Sequence, residues 1–266
     1  MLSQSSDADP TKTKEVLVLL HGYLGGSAQW KLQIEALSRN FRVLTITLPG
    51  YAEHSRMQSP CTIEGYADYV ISVLDDEGVE LFNLLGHSMG GMIAQEIAVR
   101  FPTRVNSLIL YATGSRGVMP GRFESVSASQ DRLRVDGASR SARHICAKWC
   151  SDGTASQHYE VCTSIAVQAS AQAAHAGLSA MQAWSGSDKL SQIRSPTLVL
   201  WGDRDRCYAR EPTLFLCRRV AGCMLRIVHG GSHVIHLETP ALFNTIVDAF
   251  VSSHAVNTWT VDSNQQ

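Results

Sequence analysis

Residues Gly86-His87-Ser88-Met89-Gly90-Gly91 set a serine among small residues directly after the apolar run 81–85. A serine on a sharp strand-to-helix turn needs small neighbours two places before and after it, because side chains there collide with the adjoining strand and helix. Such a turn lifts the hydroxyl above the sheet and aims the next helix's first amides at the same point. Ser88 therefore has the surroundings of a nucleophile, and the Met89 N–H those of an oxyanion donor. A serine hydroxyl attacks weakly until a base takes its proton, and the base needs a third group to hold its tautomer. Later strand ends offer both: Gly202-Asp203-Arg204-Asp205 follows the run 197–201, and His229-Gly230-Gly231-Ser232-His233 follows Met224–Val228. Serine, carboxylate and imidazole together suit acyl transfer through a covalent intermediate.

Positioning these groups requires strands that end near one another. Val16–Leu20 is a continuous apolar run, as expected for a strand buried on both faces. Ser27 reads as the N-cap of a helix carrying Trp30, Ile34 and Leu37, and the next strand spans 41–48 before Pro49-Gly50. A second helix runs from Thr62 through Tyr66, Val70 and Val73 to a stop at Gly78, ahead of strand 81–85. Another helix starts around Ser88 and ends before Pro102, and further strands are expected at 108–111, 197–201 and Met224–Val228. Thr239-Pro240 opens a last helix with Phe243, Ile246, Val247 and Phe250. This alternation predicts an α/β fold, a mainly parallel twisted sheet with helices on both faces and ligands beyond the strands' carboxyl ends. The interval 115–190 breaks the rhythm, with helical stretches at 140–150 and 160–184, and reads as a helical cap inserted between core segments 14–114 and 191–253. Residues 1–13 and 254–266 read as flexible tails.

Composition narrows the partners. The 266 residues are 44% hydrophobic and 18% charged, and 23 basic against 24 acidic side chains leave a net charge of −1. That balance gives no footprint for nucleic acid and no polybasic run for an anionic membrane. Residues 161–187 carry no Asp, Glu, Lys or Arg, but their Gln, Ser, Thr and His175 favour a buried or lid helix over a membrane span. The seven cysteines include no C-x-x-C pair, and the polar start lacks a signal-peptide core, so reduced thiols and a cytoplasmic location are expected. His144, Cys146, Cys150, His158 and Cys162 fit no standard ligand spacing, so no metal is expected. The chain has no nucleotide-binding glycine motif, so no cofactor is expected either.

Several further segments carry a resemblance. His21-Gly22 after the first strand, Leu48-Pro49-Gly50 after the next, Arg100-Phe101-Pro102, the stretch 193–205 and the stretch 233–240 join the Ser88 turn in resembling the α/β-hydrolase superfamily over roughly 14–252. The resemblance implies the order Ser88, Asp205, His233. It selects Asp205, with Asp203 as the fallback, and His233 over His236 and His229. It also implies that His21-Gly22-Tyr23 is an oxyanion loop whose donor is the Tyr23 N–H. One departure is visible: the superfamily commonly continues P-G-x-G-x-S, whereas Pro49-Gly50 is followed by Tyr51-Ala52-Glu53, which points to a reshaped loop.

The expected activity is cofactor-independent serine hydrolysis of a carboxylic ester or lactone of a small molecule. The segment 178–205 is most similar to the 3-oxoadipate enol-lactonase-like group. Carbon–carbon bond and small-amide hydrolysis use the same three residues, and a serine where haloalkane dehalogenases carry aspartate disfavours that chemistry. A ligand receptor retaining the fold, and an acyltransferase, are the readings from other classes. His87, Trp149 and Trp184 are the expected substrate contacts, with Met119 and Met181 as further apolar lining.

Overall fold

The computed structural model describes residues 14–119 and 121–255, so the tails expected at 1–13 and 254–266 lie outside the described residues except at 254 and 255. Six strands, β1 (Val16–Leu20), β2 (Arg42–Ile46), β3 (Phe82–His87), β4 (Val105–Tyr111), β5 (Thr197–Gly202) and β6 (Met224–Val228), form one sheet. Its order is β2-β1-β3-β4-β5-β6, and every neighbouring pair is parallel. The chain steps outward from β1 to β2 and then returns to the other side of β1. Strand direction of travel therefore reverses between β1 and β3, where the crevice for a ligand forms in sheets of this kind.

Alternation along β1 explains why the sheet takes helices on both faces. Leu17 and Leu19 join a cluster with Trp30, Leu37, Phe243 and Phe250, while Val18 and Leu20 join a second cluster with Tyr66, Val70, Ile93 and Leu216. The first face is covered by α1 (Lys31–Leu37), the short α8 (Ile235–Glu238) and the last helix, α9 (Pro240–Ser252); the second by α2 (Ile63–Asp76), α3 (Met89–Arg100) and α7 (Arg210–Arg219). Each fully buried Leu or Phe contributes about 2 kcal/mol relative to exposure. Thr62 caps α2 by accepting from the Gly65 N–H, and Gly78 ends it at φ 65°.

Some bounds move from the sequence expectation for identifiable reasons. Strand β3 runs on to His87 because Gly86 and His87 still pair with Leu110 and Tyr111, and β4 starts at Val105 because that residue pairs with Phe82 across a register shift. The stretch 160–184 is two helices, α5 (Tyr159–Ala166) and α6 (Ala171–Ala183). The break falls where Ser170 turns extended, caps Ala173 N–H and donates its own N–H to Gly50 O at 2.9 Å. The helix before them, α4 (Val126–Trp149), is longer than expected and interrupted at Gly137, φ 76° and ψ 170°. Cys146, Cys162, Ala173 and Met181 share one hydrophobic cluster with Val18 and Leu20, so α4–α6 pack onto the sheet's own core.

The close approach of α3 to the sheet is what the glycines around Ser88 permit. A Cβ on Gly90 would stand 2.5 Å from His21 O and 2.8 Å from Leu20 O, both backbone atoms at the end of β1. Gly90→Ala is therefore expected to destabilise the fold by about 3 kcal/mol in urea unfolding, the upper range for overpacking where backbone must move. A loss below about 0.5 kcal/mol would show that α3 can shift freely.

Candidate active site

Ser88 joins β3 to α3 with φ 56° and ψ −118°, a backbone state that L residues seldom adopt. The surroundings hold it there: its N–H donates to Tyr111 O at 2.9 Å, and Thr113 Oγ1 donates to Ser88 O at 2.7 Å. On the opposite side of the crevice, a Cβ on Gly22 would lie 2.8 Å from Ser88 Cβ. Small residues just after β1, on β3 and on α3 therefore bring the serine to the reversal point between β1 and β3.

Two aspartate–histidine pairs follow β5 and β6, with opposite environments. His229 Nδ1 meets Asp203 Oδ2 at 2.9 Å, yet the histidine side chain is 88% exposed. His233 Nδ1 meets Asp205 Oδ2 at the same 2.9 Å with both side chains buried. Asp205 is pinned further by the N–H groups of Cys207 and Tyr208, which donate to its Oδ1 at 2.7 and 3.2 Å. A carboxylate only accepts, so Nδ1 of His233 carries the proton and Nε2 is left with its lone pair. His233 N–H donates to Trp149 O at 3.1 Å, and its carbonyl accepts from Tyr111 Oη and His87 Nε2, both at 3.0 Å. Ser88 and His233 line the same two cavities without a direct hydrogen bond between them among the described residues, a looseness common before substrate arrives.

The loop after β1 is held by His21. Its Nδ1–H donates to Gly22 O at 2.8 Å and its Nε2 accepts from Leu48 N–H at 2.9 Å, so the ring must stay neutral. Complete burial agrees, pushing its pKa down to about 4. Tyr23 Oη donates to Ala174 O on α6 at 2.9 Å. Met89 is the first residue of α3, where an amide has no acceptor within its own helix. In the neighbouring loop Ala52 stands where the resemblance has glycine, and it takes φ 41°. The departure is thus absorbed as local strain in a left-handed backbone.

Two narrow pockets, each with about 20 Å³ of enclosed space, meet at Ser88, and Tyr23, Trp149 and His233 line both. His87 lines the first, and Met119 and Met181 the second. Trp184 lines neither, contrary to the sequence expectation: its indole N–H donates to buried Glu96 at 3.4 Å on the outer side of α3. Trp184 is the residue just past α6, where the backbone has turned extended, whereas Met181 still lies within the helix.

Tyr208 and Gln29 also reach the site. Tyr208 stacks on His233 with centroids 5.7 Å apart and planes 15° apart, and burial raises its pKa to about 12, moderated by the Ser88 hydroxyl nearby. Tyr208→Phe keeps the stacking and removes the hydroxyl, so kcat is expected to fall about tenfold with little change in melting temperature. Equal kcat would dismiss the hydroxyl from the reaction. Gln29 approaches His87 Nδ1 at 3.4 Å in the first cavity. Neither residue carries a motif, so only its place in space reveals it.

Among the described residues one group, Asp205, Cys207 and His233, brings metal-type ligand atoms within 4.8 Å of one another. Asp205 is already committed to His233 and two amides, and burial holds the Cys207 thiol protonated, so the donor set does not suit a cation. No described helix is long and apolar enough to cross a membrane.

Known proteins give this arrangement its context. The chain is 25% identical to 3-oxoadipate enol-lactonase 2 of Acinetobacter baylyi over 84% of its length and 83% of the relative's. It is 27% identical to the pimeloyl-[acyl-carrier protein] methyl ester esterase of Nitrosospira multiformis, covering 85% of this chain and 90% of that one. The enol-lactonase structure from Burkholderia xenovorans LB400 superimposes with a TM-score of 0.83 at 22% identity, over 92% and 94% of the two chains. The alpha/beta hydrolase family model matches residues 17–246, from within β1 to the middle of α9. A match spanning the whole sheet and its covering helices places the chain in the alpha/beta hydrolase family, as an enzyme of that family.

Proposed function

We propose that the protein hydrolyses a carboxylic ester or lactone of a small molecule through an acyl-enzyme on Ser88. The observation that carries this reading is the buried His233–Asp205 pair beside a serine held on a strained turn. His233 Nε2 takes the hydroxyl proton as Ser88 Oγ attacks the carbonyl, and Asp205 stabilises the imidazolium that forms. The amides of Tyr23 and Met89 are assigned to the oxyanion. Collapse of the tetrahedral intermediate expels the alcohol, which takes its proton from His233. Water, deprotonated by the same nitrogen, then releases the acid. Relatives named as an enol-lactonase and a methyl ester esterase support this bond type.

Residues 115–190 act in this reading as a lid over the core segments 14–114 and 191–253. The bond from His233 N–H to Trp149 O supports it, since it joins the lid's longest helix to the loop of the base. Trp149 and His87 are then substrate-side contacts. The test is kcat/KM on a panel of short esters, lactones, small amides and β-diketones, with Ser88→Ala alongside. Turnover of an ester or lactone that the alanine abolishes supports the proposal. Turnover confined to amides or diketones replaces it with the corresponding bond type.

A further inference from the structure

The second cavity at Ser88 contains a cation without a counterion. Arg122, in the segment leading to α4, lines this space together with Ser88, His233 and Tyr208. Its Nη1 is buried and has no hydrogen-bond partner among the described residues. The guanidinium stands 5.2 Å from the ring centroid of Phe123, a contact that leaves the N–H fork unfilled. Nearby acids are committed elsewhere: Glu124 binds Arg132 at 2.7 Å and Ser129 at 2.6 Å, and Asp205 binds His233. Other arginines of the described chain do find carboxylates, as Arg42, Arg100, Arg104 and Arg134 show.

A buried guanidinium N–H without an acceptor costs free energy in the empty protein and returns it when an anion arrives. The charge acts across the cavity, lowering the proton affinities of Tyr23, Tyr208 and Cys207 against the opposing effect of burial. Met119, Ile145 and Met181 supply apolar wall around it. Serine hydroxyl, apolar wall and single cation lining one space suit an acyl part that ends in a carboxylate. Arginine suits that group because its planar fork pairs with both carboxylate oxygens.

We propose that Arg122 binds a carboxylate carried by the substrate's acyl part, so that the enzyme selects acid-bearing esters or lactones over neutral ones. This rests on the ester or lactone reading of Ser88 and adds the substrate's charge to it.

The test compares monomethyl glutarate with dimethyl glutarate in the wild type, Arg122→Gln and Arg122→Lys. The wild type is expected to favour the monoester. In Arg122→Gln the monoester-to-diester ratio of kcat/KM should fall about 30-fold, mostly through KM, as for loss of a charge-assisted hydrogen bond. Arg122→Lys should recover part of that ratio. An equal ratio in wild type and Arg122→Gln, or a wild type that favours the diester, overturns the proposal while Ser88-dependent turnover leaves the hydrolase reading standing. If the wild type cleaves neither ester, that reading fails for esters, and calorimetric titration with glutarate decides the anion site. Binding weakened tenfold or more by Arg122→Gln upholds it, and equal or absent binding overturns it.

Discussion

Replacing Ser88 with alanine is expected to lower kcat/KM on the best ester or lactone by about 10⁵-fold, leaving only what the oxyanion amides and substrate binding provide. The fold should survive, since the hydroxyl makes no hydrogen bond that supports the turn; the Ser88 backbone does so through Tyr111 and Thr113. Asp205→Asn is expected to cost about 10⁴-fold, because an amide in place of the carboxylate inverts the donor at His233 Nδ1 and turns the imidazole into the wrong tautomer. Combining His233→Ala with Ser88→Ala should add almost nothing, as expected if the proposed residues act as one unit. Initial rates on purified variants, with far-UV circular dichroism as the folding check, measure all three. Ser88→Ala retaining more than a few per cent of wild-type activity would remove Ser88 from the role of nucleophile.

Acidification should unfold the protein through histidines that are buried neutral. Burial lowers the pKa of His21 to about 4 and of His236 to about 3, and that of His87 well below the ordinary value. Neighbouring histidines add to the shift for His87 and His236, because His87, His233 and His236 crowd one another, with His87 and His233 centroids 4.6 Å apart. The unfolded chain takes up these protons near pH 6.5, whereas the folded chain refuses them until far lower pH. Stability is therefore complete above about pH 6.5 and is lost as the pH falls towards 4, at about 1.4 kcal/mol per pH unit for each group. Over the three rings, unfolding free energy at pH 5 should be about 6 kcal/mol below that at pH 7.5. Denaturant titrations at the two pH values measure it, and a curve flat across that window would mean that the rings are not held neutral. Protonation of His21 would also break its bond from Leu48 N–H, so loss of activity should accompany loss of stability.

Much of this molecule is readable along the chain. Val16–Leu20 announces a strand buried on both faces because its side chains alternate between two apolar environments, and the structure divides them in that way. The Ser88 turn is equally local, since the need for glycine at positions 86 and 90 comes from atoms a few residues away and from the adjoining strand end. The residues alone left Asp203 and Asp205, and His229 and His233, as equal candidates; resemblance favoured the second of each. Tertiary structure separates the two pairs by burial, for at the same 2.9 Å one is solvated and the other sealed beneath Trp149 and Tyr208. Trp149 and Trp184 look alike in sequence, yet only Trp149 reaches the cavity. Arg122 and Tyr208 had no signature at all. The sequence by itself determined the order of strands and helices and the Ser88 turn, because both follow from local periodicity and short-range sterics. Which side chains share a pocket with Ser88 was decided by tertiary structure, because it depends on how helices far apart in the chain pack across the sheet.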